Sequence, residues 1–153
     1  MKKRTRSREL ALQFLYQVDL RGEEMRDQLA SFVRGEESDR ATADFAIHLA
    51  QGTLEHLAPI DELIRAVAQN WDLERMAVID RNVLRLATYE LLYRDDIPLK
   101  VSINEAIELG KRYSTQNSGG FINGILDKIK DLEPKQAVAA TGESPAPEDG
   151  AEG

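Results

Sequence analysis

An all-α fold of about seven helices is predicted for this chain by three features of its sequence. Apolar residues recur at intervals of three and four along most of residues 7–132, which is the spacing of one helical face. No stretch shows the alternation of apolar and polar residues that is typical of a half-buried strand. The length of 153 residues is enough for one hydrophobic core, so a single domain is expected.

The first three helices are predicted at residues 7–20, 23–33 and 40–57. Leu10 and Phe14 share one face of the first helix, and Gly22 marks the turn that follows it. Ser38 or Asp39 is the candidate N-cap of the third helix, because a short polar side chain can accept from the free N–H groups of the first turn.

A fourth helix is predicted from Pro59, because proline suits a first helical turn, to Trp71 on the buried face. The central helix then begins near Leu73, with Asp72 as its N-cap, and ends near Tyr93. It is apolar on several faces, so we expect other helices around it. The proline that follows stops it, since a residue before proline disfavours the α conformation.

Ser102 and Glu105, three residues apart, form a capping box that is predicted to open a sixth helix ending near Tyr113. A polar loop at residues 115–120 precedes a seventh helix, which runs to residue 132 and is stopped by Pro134. Residues 134–153 contain almost no large apolar side chain. We therefore predict a domain at residues 1–133 and a disordered acidic tail after it.

Composition excludes several classes of site. The chain has no cysteine, which excludes disulfides, thiolate metal sites and cysteine nucleophiles. It has no apolar run of about 18 residues, and its basic start is not followed by the apolar region of a signal peptide. We therefore expect a soluble cytoplasmic protein that does not enter a membrane.

No enzyme motif is present. The sequence has no phosphate-binding glycine loop and no nucleophile elbow. His48 and His56 lie eight residues apart, which is not the spacing of a metal pair on a helix. We therefore expect no catalytic residue, no metal and no cofactor.

The first eight residues are strongly basic, although the whole chain has a net charge of −7. They hold no acid, and their cations are Lys2, Lys3, Arg4, Arg6 and Arg8. On the helix that follows, Gln13 and Tyr16 point away from the apolar face. Cations along the backbone and aromatic rings stacked on bases hold single-stranded RNA, so this combination favours an RNA-binding arm. A solvated terminus, with Tyr16 packed at the boundary of the core, remains open.

Four separated motifs follow one another along the chain. They read RELALQFLY at residues 8–16, DRNVLRLATYEL at 80–91, SINEAIEL at 102–109 and FINGILD at 121–127. Together they resemble the bacterial NusB antitermination factors, in the same order, over about residues 4–130. One position departs from the family: Gly120 stands where many members carry a lysine, so one phosphate contact is expected to be missing.

The resemblance implies two packed helical bundles, with the first three helices in the first bundle. It implies binding to boxA, a short single-stranded element of leader and ribosomal RNA transcripts, and read-through of terminators. It also implies partners: a small-subunit ribosomal protein that acts as NusE, other antitermination factors, and RNA polymerase in the elongation complex.

The resemblance also implies where the contacts lie. It places three parts of the chain on the RNA side: the basic arm, Tyr16, and the start of the last helix. In that last part the residues are Asn117, Ser118 and Phe121. The partner protein is expected on the second bundle, and the candidates on the central helix are Asp80, Arg81 and Leu84.

Two other functions remain as alternatives. The chain could be a protein-only helical adaptor whose basic arm is disordered and binds no RNA. A domain of this kind also occurs fused to RNA cytosine methyltransferases, but this chain has no room for the enzyme, no cysteine nucleophile and no cofactor loop.

Overall fold

The computed structural model describes residues 2–69 and 71–132, and in these ranges the chain forms seven α-helices, two 3₁₀-helices and no strand. The α-helices are α1 (Lys3–Arg21), α2 (Leu29–Glu36), α3 (Arg40–Glu55), α4 (Leu57–Val67), α5 (Val78–Tyr93), α6 (Leu99–Tyr113) and α7 (Ser118–Asp131), and the 3₁₀-helices are Glu23–Gln28 and Leu73–Arg75. The all-α prediction is confirmed. No helix in the described ranges is long and apolar enough to cross a membrane. The tail predicted at residues 134–153 lies outside these ranges.

The helices form two bundles that share one central helix. α1, α2 and α3 pack against one another, while α4, α5, α6 and α7 form the second bundle. α5 also contacts α1 and α3, so it lies between the two groups. Its Val83, Leu84 and Leu92 are all buried, although at about 100° per residue Leu84 and Leu92 lie about 100° and 180° around the helix from Val83. A helix that is apolar on several faces is stable when other helices surround it, and this prediction is confirmed.

The basic segment forms the first turns of α1 rather than a separate arm. α1 begins at Lys3, four residues before the predicted start. The Ser7 hydroxyl lies 3.1 Å from the carbonyl oxygen of Lys3 and 2.7 Å from that of Thr42, so this turn is joined to α3. Lysine and arginine have good helix propensity, and the contact with α3 explains why the helix extends to the terminus.

The start of the central helix was predicted too early. A 3₁₀-turn, in which the Arg75 N–H donates to the Asp72 carbonyl at 3.0 Å, occupies this segment. The Asp72 side chain makes no cap hydrogen bond, and α5 begins only at Val78. Leu73 and Met76, on either side of this turn, are both buried, at 1% and 6% exposure. The predicted end near Tyr93 and the Asp39 cap of α3 are both confirmed.

The capping box at Ser102 and Glu105 was also wrong. α6 begins at Leu99, and the Ser102 N–H already donates to the Pro98 carbonyl at 3.2 Å. Ser102 therefore lies inside the first turn, where its hydroxyl is free to reach another helix. It donates to the Glu90 carboxylate on α5 at 2.6 Å.

Trp71 is exposed, which contradicts its predicted place on the buried face of the fourth helix. α4 ends at Val67, and the Trp71 N–H then donates to the Ala68 carbonyl at 2.8 Å. This turn rotates Trp71 away from the apolar stripe, so that 59% of the residue is accessible to water. The polar loop before α7 is also shorter than predicted, because α7 begins at Ser118.

Candidate nucleic-acid interface

Three cations stand at the free end of α1. Lys2, Lys3 and Arg4 are all exposed, and the first turn of the helix has no acidic residue. Lys3 makes only a long, exposed contact of 3.4 Å to Asp39, and the Arg4 guanidinium lies 4.1 Å from the centre of the Phe45 ring. The N-terminus of a helix carries partial positive charge, so cations here oppose the helix dipole. The helix dipole therefore disfavours this cluster, and within the part of the chain that the structure describes only Lys3 and Arg4 gain a partner.

Arg6 and Arg8 differ from these three cations. Arg6 is partly exposed and lies 3.5 Å from both Glu9 and Glu37. Arg8 is 3% exposed and donates from Nε and Nη2 to the two carboxylate oxygens of Glu90, at 2.8 and 2.9 Å. A guanidinium whose fork is occupied inside the fold is not open to a phosphate. We therefore correct the expectation for Arg8, which links α1 to α5.

Two grooves lie beside α1. The first has a volume of about 240 Å³ and is lined by Lys2, Thr5, Glu105, Glu108, Leu109 and Arg112. The second has a volume of about 290 Å³ and is lined by Leu12, Gln13, Tyr16, Gln17, Phe32, Glu36, Ile79 and Tyr113. The second groove contains both polar residues that the sequence placed off the apolar face of α1. Tyr16 is 36% exposed, so one part of its ring packs and another part is accessible.

The two grooves are neighbours along the seam between α1 and α6. Arg112 lines the first groove and the adjacent Tyr113 lines the second. Glu9, buried on α1, accepts a hydrogen bond from Arg112. Burial, followed by the hydrogen bond to Glu9, raises the pKa of Tyr113. At 1.5 Å per residue, Lys2 and Tyr16 are about 21 Å apart along the helix, so the seam presents an extended path.

The start of α7 supplies further predicted residues, but not all of them are open. Asn117 is exposed and its side chain makes no cap hydrogen bond. Ser118 is 3% exposed, and its hydroxyl accepts from the Thr115 N–H at 3.2 Å. It therefore holds the turn and is removed from the candidate surface. Phe121 is half-buried and lies against Trp71.

The departure at Gly120 has no steric cause. A Cβ atom built on this exposed residue meets no heavy atom within 4 Å. A lysine would fit here, so the chain lacks only the charge that many family members have. The missing phosphate contact expected from the sequence stays a prediction.

The three candidates for the partner protein on α5 have different environments. Leu84 is fully buried in the core, so it cannot touch a partner directly. Arg81 donates to both carboxylate oxygens of Asp19, at 2.7 and 3.0 Å. Asp80 has one buried carboxylate oxygen without a hydrogen-bond partner. Asp80 and Arg81 remain predictions, while Leu84 is corrected to a core residue.

Asp19 connects α1 to the first turns of α5. It accepts hydrogen bonds from Arg81, Asn82 and Arg85, and Arg85 also forms a two-pronged ion pair with Asp61 of α4. Burial would raise the pKa of Asp19, but the hydrogen bonds from Arg81 and Asn82 and the nearby guanidinium charges together lower it. This network fixes the end of the molecule at which Tyr16 lies.

Sequence reasoning missed three residues of this surface. Arg112 and Tyr113 join the two grooves, and Trp71 stands against Phe121. A signal for the first two was present, because residues 111–113 form a basic and aromatic run at the end of a helix. Trp71 had no such signal, since its spacing from Val67 continues the apolar stripe of α4.

Comparisons with known proteins agree with the resemblance. A sequence model described as the NusB family matches residues 5–131. The transcription antitermination protein NusB of Anaeromyxobacter dehalogenans is 53% identical over 128 residues, covering 83% of this chain and 89% of the relative. The protein of the same description from Thermodesulfovibrio yellowstonii is 43% identical, covering 86% of this chain and 93% of the relative.

Solved structures share the fold. T. maritima NusB superposes with a TM-score of 0.79 at 42% sequence identity, covering 88% of this chain and 94% of that one. A chain from a structure described as the antitermination factors NusB and NusE in complex with dsRNA superposes with a TM-score of 0.77 at 26% identity. That alignment covers 86% of this chain and 98% of the other.

Proposed function

This chain belongs to the NusB family, and from its surface we propose that it is a transcription antitermination factor that binds boxA RNA together with the ribosomal protein acting as NusE. The role is one of binding rather than catalysis. In this proposal the protein acts in the cytoplasm on a nascent transcript, with other antitermination factors and RNA polymerase in the elongation complex.

The observation that carries the proposal is the cation cluster at the start of α1. Lys2, Lys3 and Arg4 oppose the helix dipole and have at most one long ion pair among them. A phosphate backbone next to this end would neutralise the cations and release counterions, which is the main source of affinity for nucleic acids. The cluster therefore favours a polyanion over the alternative of a protein-only adaptor.

The grooves extend this interpretation from charge to RNA. From Lys2 the seam leads past Arg112 to Gln13 and Tyr16. Two cations set beside Glu105 and Glu108 are thus followed by an amide and an aromatic ring. An amide can bond to the edge of an unpaired base, and a ring can stack on its face. This order of side chains supports binding of a single strand, whose bases are free to turn toward the protein.

The test is a gel-shift titration of the full chain with a single-stranded boxA RNA, a scrambled strand and a duplex of the same sequence. Each RNA is titrated with and without the NusE-like ribosomal protein. We expect the boxA strand to bind more tightly than the other two, and the partner to strengthen its binding.

A charge-matched pair of variants locates the surface. Lys2→Ala/Lys3→Ala/Arg4→Ala is expected to weaken RNA binding at least tenfold. The control removes three exposed cations that line neither groove, Arg34, Arg65 and Lys128, and is expected to weaken it far less. Equal loss in the two variants would show that only net charge matters. No RNA binding by the wild type, with the partner still bound, would favour the protein-only adaptor.

A further inference from the structure

Trp71 and Phe121 form an aromatic pair at the surface that core packing does not explain. Their ring centroids are 5.3 Å apart and the ring planes meet at 75°, an edge-to-face arrangement. Phe121 packs against the core, whereas Trp71 is 59% exposed. One ring is thus anchored in the fold while the other stands in water.

The backbone that carries Trp71 is anchored on both sides. The Trp71 N–H donates to the carbonyl of Ala68, a residue that is itself buried. On the other side Leu73 and Met76 enter the core, at 1% and 6% exposure. Trp71 therefore lies between flanking residues that are buried, while its own side chain is exposed. A large aromatic side chain held in water by buried neighbours marks a contact surface, because the same ring would stabilise the fold more if it were buried.

This pair lies at the same end of the molecule as the Tyr16 groove. The 3₁₀-helix after Trp71 leads into α5, whose Ile79 lines that groove together with Tyr113. Tyr113 ends α6, and α7 with Phe121 begins after a turn of four residues. The ring pair therefore lies where a strand that leaves the groove can continue.

The surroundings of the pair are polar and charged. The stem of Lys111 lies 3.2 Å from the position of a Cβ built on Gly119, at the start of α7. Arg75, on the 3₁₀-helix next to Trp71, has 87% of its side chain exposed and lies 3.8 Å from the Asp72 carboxylate. Asp72 beside Trp71 is exposed as well. An aromatic face among exposed charged side chains suits a nucleic-acid base better than an apolar protein patch, which would need apolar neighbours.

We propose that Trp71, supported edge-to-face by Phe121, is a stacking platform for one base of the bound RNA. This inference rests on the proposed function and adds a binding residue to it. Phe121 is half-buried, so its main role here is to hold the Trp71 ring in place. Stacking needs only an open π-face, so the platform accepts any base and contributes affinity rather than sequence selectivity.

Trp71 reports on its own environment, because it is the only tryptophan of the chain. The full chain is titrated with the single-stranded boxA RNA while tryptophan emission and quenching by acrylamide are followed. We expect accessible emission in the free protein, and a drop in emission with protection from acrylamide when RNA binds. The same titration with the NusE-like protein alone is expected to leave the emission unchanged.

Variants separate stacking from apolar bulk. Trp71→Leu keeps an apolar side chain without a π-face and is expected to weaken RNA binding about 5- to 150-fold, the usual effect of losing one stacked base. Trp71→Phe keeps a smaller face and is expected to lose less. The control is Leu20→Ala, which removes another exposed apolar side chain, 55% accessible, and should leave affinity unchanged. Thermal melts confirm that each variant is folded.

Several results would overturn the platform. If RNA binds but Trp71 emission and the affinity of Trp71→Leu are unchanged, the platform is wrong and the proposed function stands. If emission in the free protein is already protected, the ring is not open as required. If only the ribosomal protein changes the emission, Trp71 belongs to a protein interface. If the wild type binds no RNA, both proposals fail.

Discussion

Arg8 and Glu90 form a two-pronged ion pair inside the protein, between residues 82 positions apart in the sequence. The side chains are 4% and 2% exposed, so both charges are almost wholly removed from water. The same carboxylate accepts from Ser102, and Glu105 lies 3.6 Å from the Arg8 guanidinium. The pair thus joins α1, α5 and α6. It fixes the orientation of α1, and with it the place of the cations at the start of that helix.

Arg8→Ala is expected to lower the free energy of unfolding by about 3–5 kcal/mol, because it leaves the Glu90 carboxylate buried without its cation. Urea denaturation measures the effect. Lys3→Ala, which removes an exposed cation from the same helix, is the control and should cost less than about 1 kcal/mol. The double variant Arg8→Met/Glu90→Leu should be more stable than Arg8→Ala, since no lone charge remains. Equal denaturation midpoints for wild type and Arg8→Ala would contradict the buried pair.

Two helical glycines are expected to respond to alanine with opposite signs. A Cβ on Gly52 of α3 would lie 2.2 Å from the Tyr89 ring, which is itself 5% exposed and cannot easily move. Gly52→Ala should therefore destabilise by about 1–3 kcal/mol, the usual cost of overpacking. Gly35→Ala in α2 meets nothing within 4 Å and should stabilise by up to about 1 kcal/mol through helix propensity. Thermal melts that move in the same direction for both variants would refute this assignment.

Stability is expected to depend on pH through Asp19. Its pKa is lowered in the fold, so its ionised form is favoured there, and this contribution is complete above the unfolded pKa of about 3.9. It is lost as the pH falls through the folded pKa. The gap in unfolding free energy between wild type and Asp19→Asn should stay constant from pH 7 to about 5 and shrink below about 4.

The control for this pH series is Asp27→Asn, because Asp27 is exposed on the 3₁₀-helix Glu23–Gln28. The difference in unfolding free energy between Asp27→Asn and the wild type should stay near zero over the same pH range. Denaturant titrations at each pH give the values. A gap for Asp19→Asn that does not change between pH 5 and pH 2.5 would mean that the ion pairs with Arg81 and Arg85 do not act on the Asp19 carboxyl in solution.

The affinity for RNA is expected to fall with salt as if three cations of the basic segment, and not five, contact phosphates. Each phosphate neutralised on a single strand contributes about 0.7 to the slope of log K against log salt. Lys2, Lys3 and Arg4 together therefore account for at most about 2, and the triple alanine variant should flatten the slope by that amount or less. Tyr16→Ala should weaken binding without changing the slope, because stacking releases no counterions. A loss of slope well above about 2 would contradict this account, because the triple variant leaves Arg6 and Arg8 in place.

The helices and their buried faces could be predicted, because both depend on the spacing of apolar residues that are close in the sequence. Leu10, Phe14, Val83 and Leu86 recur at helical intervals, and all four are buried. A helix buries one side every 3.6 residues, so a one-dimensional pattern is enough to predict both the helices and their inward faces. The four motifs then predicted the family, which the comparisons confirmed.

The errors concern side chains whose partners are distant in sequence. Ser102 and Glu105 have the spacing of a cap, yet Ser102 donates to Glu90 and Glu105 accepts from Thr5, both on other helices. Local spacing cannot show this, because a cap and a first-turn residue differ only in where the helix begins. Here the helix begins at Leu99, directly after Pro98 and three residues before Ser102.

The sequence by itself determined which segments are helical, which of their faces are apolar, and that positive charge gathers at the first residues. The tertiary structure alone decided which of those charges are open: Lys2, Lys3 and Arg4 stay in water, while Arg8 is neutralised by Glu90. It also decided that Trp71 stands outside the core. The physical reason is that helix formation depends on neighbours within one or two turns, whereas the environment of a charge or a ring depends on whatever other helix packs beside it.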